Sequence, residues 1–310
     1  MSSMSEAVAG RRKDNVGRGV LLSLSATLIF ATQDATSKYL VQTVSPFQTT
    51  MMRFWAFAAL ALFLAWRQGP LKQALRTNYP WLQVTRGVLL IVDIWLFVLA
   101  LQTVPLPEAQ SITLVYPLLV TLFAVPLLGE KVGIFRIAAV VVGFLGALVI
   151  VRPGGVPLGW GAACAVGSGT CYALYMVLTR KVSAGDSPAT SVIYVGLVGL
   201  VISSAVGVFF WQPLDLRSLL LIGYIMFTGC AAHGLMILAL SSAPASVLQP
   251  FSYSSLPWSI LLSFVIFHYF IDPVSLLGAA VIVGAGLVVM ARERFRRIPA
   301  AVDAALPGKE

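Results

Sequence analysis

The chain has 310 residues, 58% hydrophobic and 11% charged, with a mean hydropathy of +0.89. A soluble domain carries about 25% charged residues, so this composition excludes an ordinary water-soluble protein and requires one embedded in a bilayer. The net charge of +9 does not point to nucleic acid, because Lys and Arg are spread over short connectors and not gathered on one face.

A helix needs about 20 apolar residues to cross the hydrocarbon, and ten such stretches follow one another: 19–40, 46–66, 81–102, 106–128, 134–151, 158–181, 188–211, 218–240, 245–268 and 273–291. The first has a basic lead like a secretory signal. Its apolar part runs past the length of a signal core and no small-residue cleavage site follows, so it is expected to stay as a span. This span holds Gln33 and Asp34 in its outer half, with Lys38 one turn beyond Asp34, a spacing at which the two charges neutralise each other at the interface. The third span places Asp93 near its middle, with Arg86 two turns earlier and Leu90 and Phe97 completing a stripe at helical spacing.

The fourth span carries Gln110, Tyr116 and Pro117, and closes on Glu130 and Lys131 at the inner edge. A proline inside a soluble helix costs roughly 3 kcal/mol, but in a bilayer neighbouring spans and hydroxyl side chains satisfy the freed carbonyl. Pro117, and Pro257 in the ninth span, are therefore expected to kink their helices at matching depths. Glu130 is read as a helix-end charge pairing with a nearby base in preference to a proton-coupling group. The fifth span has Gly143 and Gly146, and the tenth has Gly278, Gly284 and Gly286, which permit close helix approach. The final span of each half is expected at the periphery, bracing its repeat or forming a dimer contact, which leaves monomer and homodimer both open. Trp66, Trp81, Trp160 and Trp211, near span ends, fit interfacial anchoring.

Basic residues orient the chain. With the N-terminus inside, the inner segments hold Arg11, Arg12, Lys13, Arg18, Arg67, Lys72, Arg76, Lys131, Arg136, Arg180, Lys181, Arg292, Arg294, Arg296 and Arg297, against Arg152 and Arg217 outside and Lys38 at a border. That asymmetry predicts an even number of crossings with both termini cytoplasmic. The localisation expected is multi-pass, in a bacterial inner membrane.

The chain also repeats itself. Ser45-Pro46 recurs as Ser187-Pro188, and Phe30-Ala31 followed by Ser37-Lys38 recurs as Tyr172-Ala173 followed by Thr179-Arg180. "LALQTVPLPEAQ" from Leu99 matches "LALSSAPASVLQ" from Leu238, Pro117 falls opposite Pro257 with one residue of slack, and "AVVVG" from Ala139 matches "AVIVG" from Ala280. Five spans per copy force the second copy to enter from the opposite side, so the repeats are inverted, as in many secondary transporters. The predicted organisation is a cytoplasmic tail (1–18), a first repeat (19–151), a Gly/Pro-rich linker (152–158), a second repeat (159–291) and a basic cytoplasmic tail (292–310).

The segment from Leu106 to Gly154 resembles the last two spans of an EamA repeat, the unit of the drug/metabolite transporter superfamily. The likeness rests on a Glu-Ala start, a mid-helix "YP", "LGE" closing the fourth span and a Gly-spaced fifth. It implies a ten-helix exporter or permease for small metabolites, most similar to amino-acid exporters of the YddG type, which handle aromatic and other neutral amino acids. Other solutes of that superfamily, such as drugs, quaternary amines or phosphorylated sugars, are the alternative. The second copy departs from the pattern: "HYFI" (His268 to Ile271) stands where the first has "LGEK", setting Phe270 opposite Glu130.

Ionisable and polar groups inside spans face the bundle interior or a water-filled cavity. An amino-acid-like solute needs groups to meet its ammonium and carboxylate and an apolar or aromatic wall. Gln33, Asp93, Gln110, His233 and Gln249 are the candidate polar contacts, and Tyr116, Tyr172, Tyr175, Tyr253 and Trp258 the candidate walls. Asp93 is the first candidate for proton coupling and Asp34 the second; a facilitator or exchanger needs neither. No HExxH pair, Walker motif or nucleophile and base constellation is present, which argues against an enzyme. No cofactor is expected. Cys164, Cys171 and Cys230 lie in apolar stretches with no CxxC pair or His-rich tract, which argues against metal binding.

Overall fold

Hydrocarbon offers no hydrogen-bond partners, so each crossing must satisfy its own backbone, which a single segment does only as a helix. The computed structural model describes residues 15–129, 133–151, 159–243 and 245–305, and every regular element among them is helical. In chain order these are α1 (Val16–Leu40), α2 (Pro46–Gln68), α3 (Leu71–Ala74), α4 (Pro80–Thr103), α5 (Leu106–Thr113), α6 (Tyr116–Leu128), α7 (Ile134–Ile150), α8 (Trp160–Val182), α9 (Pro188–Gly207), α10 (Leu216–Ser242), α11 (Ala245–Leu248), α12 (Ser255–Phe267) and α13 (Pro273–Ala305). The short α3 sits in a connector. α5 with α6 makes one crossing, as does α11 with the 3-10 turn Gln249–Ser254 and α12, so the described helices form ten.

The repeated Ser-Pro pairs set the helix starts. Ser45 accepts from the Phe47 N–H ahead of α2 and Ser187 from the Thr190 N–H ahead of α9, each followed by a proline in the first turn, where its missing N–H costs nothing. Asp215 and Asp272 cap α10 and α13 in the same way, accepting from Ser218 and Ser275.

The two halves interlock through equivalent surfaces. α1 packs on α10 and α4 on α8, so the first crossing of each repeat lies against the third of the other. α2 packs on α9, α5 on α12 and α7 on α13, each beside its own repeat partner. This is the arrangement of two five-helix copies related by an axis in the membrane plane. Large apolar side chains on the outside, including Phe209, Phe227 and Leu220, give the bundle a lipid-facing coat. The four end tryptophans Trp66, Trp81, Trp160 and Trp211 are all exposed.

Both prolines expected to kink their spans sit at a break, though not in the middle of a bent helix. Pro117 is the second residue of α6, after the interruption at Leu114 and Val115; Pro257 is the third residue of α12, after the 3-10 turn. Having no N–H, Pro117 cannot bond the Thr113 carbonyl one turn back. α8 approaches that carbonyl through Gly169, where an added Cβ would lie 3.1 Å from the oxygen. At the far ends, α6 and α12 both finish on a left-handed residue, Gly129 (φ 70°) and His268 (φ 52°). The helix ends thus align Gly129 with His268, one residue away from the pairing of "LGEK" with "HYFI". Glu130 and Lys131, like the linker 152–158 and most of the N-terminal tail, lie outside the described residues. At the other end α13 runs on to Ala305, so helix continues beyond the boundary expected at residue 291.

The glycine stripes brace α7 against α13. A Cβ on Gly146 would meet the Gly278 carbonyl at 2.8 Å, and one on Gly278 would meet the Gly146 carbonyl at 2.6 Å, so the two backbones cross in direct contact.

Candidate functional site

A cavity of about 320 Å³ lies between the repeats, walled by α1, α2, α4, the α5/α6 break, α8, α9, α10 and the turn before α12. Its size falls at the low end of pockets that hold drug-sized ligands, roughly 300–1,000 Å³. Three charged side chains enter it: Asp34 from α1, Arg53 from α2 and Asp93 from α4. Arg53 has both carboxylates as electrostatic neighbours, with Cys230 nearby. Asp93 Oδ1 accepts a 2.6 Å hydrogen bond from Ser168 Oγ of α8, which ties the first repeat to the second at the cavity wall.

Aromatic rings on the wall include two groups. In one, His233 stands edge-on between Phe30 (ring centroids 5.2 Å apart) and Phe57 (5.0 Å). In the other, Tyr116 meets Tyr172 edge to face at 4.8 Å, and Tyr172 stacks on Tyr175 at 5.8 Å. The broken crossings are joined at the cavity floor, where Gln110 Nε2 donates to Ser255 Oγ at 3.1 Å and Tyr116 OH approaches Ser252 Oγ at 3.5 Å. Thr27 and Ser254 share a further hydroxyl contact of 2.9 Å.

The shape is pseudo-symmetric and the chemistry is not. Repeat partners both line the space, Phe30 with Tyr172 and Asp93 with His233. The spacing that pairs Ser45 with Ser187 sets Arg53 opposite Val195, also on the wall. All three charged groups therefore come from the first repeat.

Of the expected site residues, Asp93, Gln110, Tyr116, Tyr172 and His233 line this cavity. Four do not. Gln33 is only 1% exposed, in the seam between α1 and α10; Tyr175 sits behind Tyr172 with its hydroxyl toward Arg86; Tyr253 is buried in the core against Gly286; Trp258 packs in α12 off the wall. The Gln249 side chain lies outside what is described.

One expected charge relationship is corrected. Asp34 does not pair with Lys38, which donates instead to the carbonyls of Leu101 (2.5 Å) and Val104 (2.9 Å) and faces Glu108. The backbone left open before Pro105 attracts the ammonium, and the charged neighbour of Asp34 is Arg53. Arg86 and Asp93, on one stripe of α4, meet different partners. Arg86, 2% exposed, donates to Gln83 Oε1 at 2.6 Å and lies over the Tyr175 ring, in a polar cluster at the cytoplasmic end. The residue that sequence reasoning passed over is Arg53, although it stands seven residues into an apolar span, the signal that singled out Asp93.

The chain matches the EamA-like transporter family over residues 17–152 and again over 159–291. It belongs to that family. A riboflavin transporter of Vibrio cholerae is 30% identical over 86% of this chain and 90% of its own length, and one of Rhizobium johnstonii is 29% identical over 91% and 94%. An S-adenosylmethionine uptake transporter of Rickettsia bellii is 26% identical over 88% and 92%. A solved crystal structure shares the fold with a TM-score of 0.62 at 22% identity, covering 90% of this chain and 98% of that one. The EamA chain is thus a multi-pass transporter of small metabolites, with bacterial relatives and not an enzyme. The narrower likeness to amino-acid exporters of the YddG type is not carried by these relatives, whose names speak of riboflavin and of S-adenosylmethionine uptake.

Proposed function

We propose that this chain takes up a flavin, riboflavin or a close analogue, by alternating access to the cavity between its two repeats. The observation that carries the reading is the cavity itself, whose wall combines two aromatic groups with a guanidinium and two carboxylates. A planar heterocycle with a polar edge uses both features, since rings stack or meet edge-on with its faces and the charged groups take its donors and acceptors. A small neutral amino acid would leave much of the aromatic wall unused. A phosphorylated sugar would set its anion against two carboxylates with one arginine to offset them. The riboflavin transporters related over most of this chain's length support the choice.

One feature favours a second reading. Two carboxylates to one guanidinium suit a cation, and an adenosyl sulfonium would bring both a heterocycle and a positive charge, in keeping with the S-adenosylmethionine relatives. Uptake into proteoliposomes separates the readings. Labelled riboflavin should enter with saturation and show counterflow, ahead of S-adenosylmethionine and phenylalanine. Saturable phenylalanine uptake with no riboflavin uptake would overturn the proposal.

A further inference from the structure

The floor of the cavity carries hydroxyl and amide groups and no charge. Gln110, Tyr116, Ser252 and Ser255 all line the cavity, and all four are half-buried, neither sealed in the bundle nor out in lipid. They come from the two broken crossings: Gln110 and Tyr116 flank the break between α5 and α6, and Ser252 and Ser255 the passage from the 3-10 turn into α12. Gln110 Nε2 donates to Ser255 Oγ at 3.1 Å and Tyr116 OH approaches Ser252 Oγ at 3.5 Å, so the four groups make one patch. The Gln110–Ser255 bond uses only half of each group. The amide keeps its carbonyl oxygen, which no described residue bonds, and the serine keeps its O–H to donate.

Tyr116 belongs to two neighbourhoods. Its ring meets Tyr172 edge to face at 4.8 Å while its hydroxyl is turned to Ser252, so the hydroxyl patch begins where the aromatic wall ends. A solute that uses both needs a flat ring and, joined to it, a run of uncharged groups that each donate and accept. We propose that the patch joining the two broken crossings is a polyol subsite, which receives the ribityl arm of a flavin at Gln110 Oε1 and the Ser255 hydroxyl while the ring lies on the aromatic wall beside it. This deepens the flavin reading and rests on it. One hydroxyl of the arm donates to the amide oxygen and its neighbour accepts from the serine, so a vicinal diol meets both groups at once, and no ion has to leave water to do so.

The test compares riboflavin with lumiflavin, which carries a methyl group where riboflavin carries the ribityl arm, in proteoliposomes of the wild type, Ser255→Ala and the double variant Gln110→Leu with Ser255→Ala. Wild type should prefer riboflavin by about tenfold or more in kcat/KM, because lumiflavin leaves the polar floor without its partners. Ser255→Ala should lower that ratio by about threefold, the effect of one hydrogen bond. The double variant should bring the ratio to within about twofold and melt in detergent close to the wild-type temperature, since both partners of an internal bond have been replaced by apolar groups and neither is left orphaned. A group that only held the two crossings together would slow both flavins and leave the ratio where it was. The inference is overturned if wild type carries riboflavin and lumiflavin equally well, or if either Ser255→Ala or the double variant keeps the full preference. A wild type that carries no riboflavin overturns the flavin reading instead, and the subsite with it.

Discussion

Ser168 Oγ donates to Asp93 Oδ1 at 2.6 Å, from the sixth crossing to the third. The bond spans the two repeats at the point where they enclose the cavity, so any movement of one half against the other must stretch or keep it. Asp93 faces Arg53 and Asp34 as well, and one carboxylate oxygen is already held by the serine.

Asp93→Asn keeps the side-chain volume and leaves Ser168 an oxygen to donate to. The variant should fold, with stability within about 1 kcal/mol of wild type, and should lose any dependence of transport on an imposed pH gradient. Uptake measured with and without the gradient checks this, and an unchanged dependence would remove Asp93 from coupling.

Arg53→Met strips the cavity of its one positive side chain and leaves Asp34 and Asp93 facing each other. Because Arg53 is half-buried and lines an open cavity, the loss should stay below the roughly 3–5 kcal/mol that breaking a fully buried pair costs. Adding Asp34→Asn should recover part of it, because the remaining carboxylate no longer has a like charge opposite. Detergent melting of the single and double variants measures both steps.

At the cytoplasmic end, Asp186 in the connector between α8 and α9 accepts from Thr77 Oγ1, the Asn78 N–H (2.9 Å) and Gln83 Nε2 (2.7 Å). Partial burial pushes its carboxyl up, but these hydrogen bonds and the Arg86 charge outweigh that and hold it below the usual carboxylate range. A depressed folded value means the contribution to stability is complete above the unfolded pKa of about 3.9 and is lost as pH falls through the folded one. The melting temperature of wild type should therefore drop more steeply than that of Asp186→Asn as pH is lowered past about 4. Parallel curves for the two proteins would show that the carboxylate does not latch the connectors.

Gly278→Val places branched carbons in a space where even a single added Cβ would lie 2.6 Å from the Gly146 carbonyl. α7 and α13 would have to separate, at a cost of at least about 1–3 kcal/mol. Because these helices stand outside the cavity wall, the variant should lose thermal stability while the KM of the surviving protein stays near wild type.

The number, order and approximate limits of the crossings, and the relation between the halves, were all legible in the chain. Hydrocarbon demands long apolar helices and the duplication repeats its own start signals, such as Ser45-Pro46 and Ser187-Pro188. These are one-dimensional signals, and they depend on solvent more than on neighbours. Which polar residues meet was a different matter. Gln33 and Asp34 are adjacent in sequence, yet the carboxylate lines the cavity with Arg53 and the amide beside it is shut into the α1/α10 seam. Arg86 and Asp93 share a helix stripe and still belong to separate clusters. Helical spacing says which residues share a face; only the packing of α1 on α10 and α4 on α8 decides what that face meets, because the partner comes from the other repeat, far along the chain.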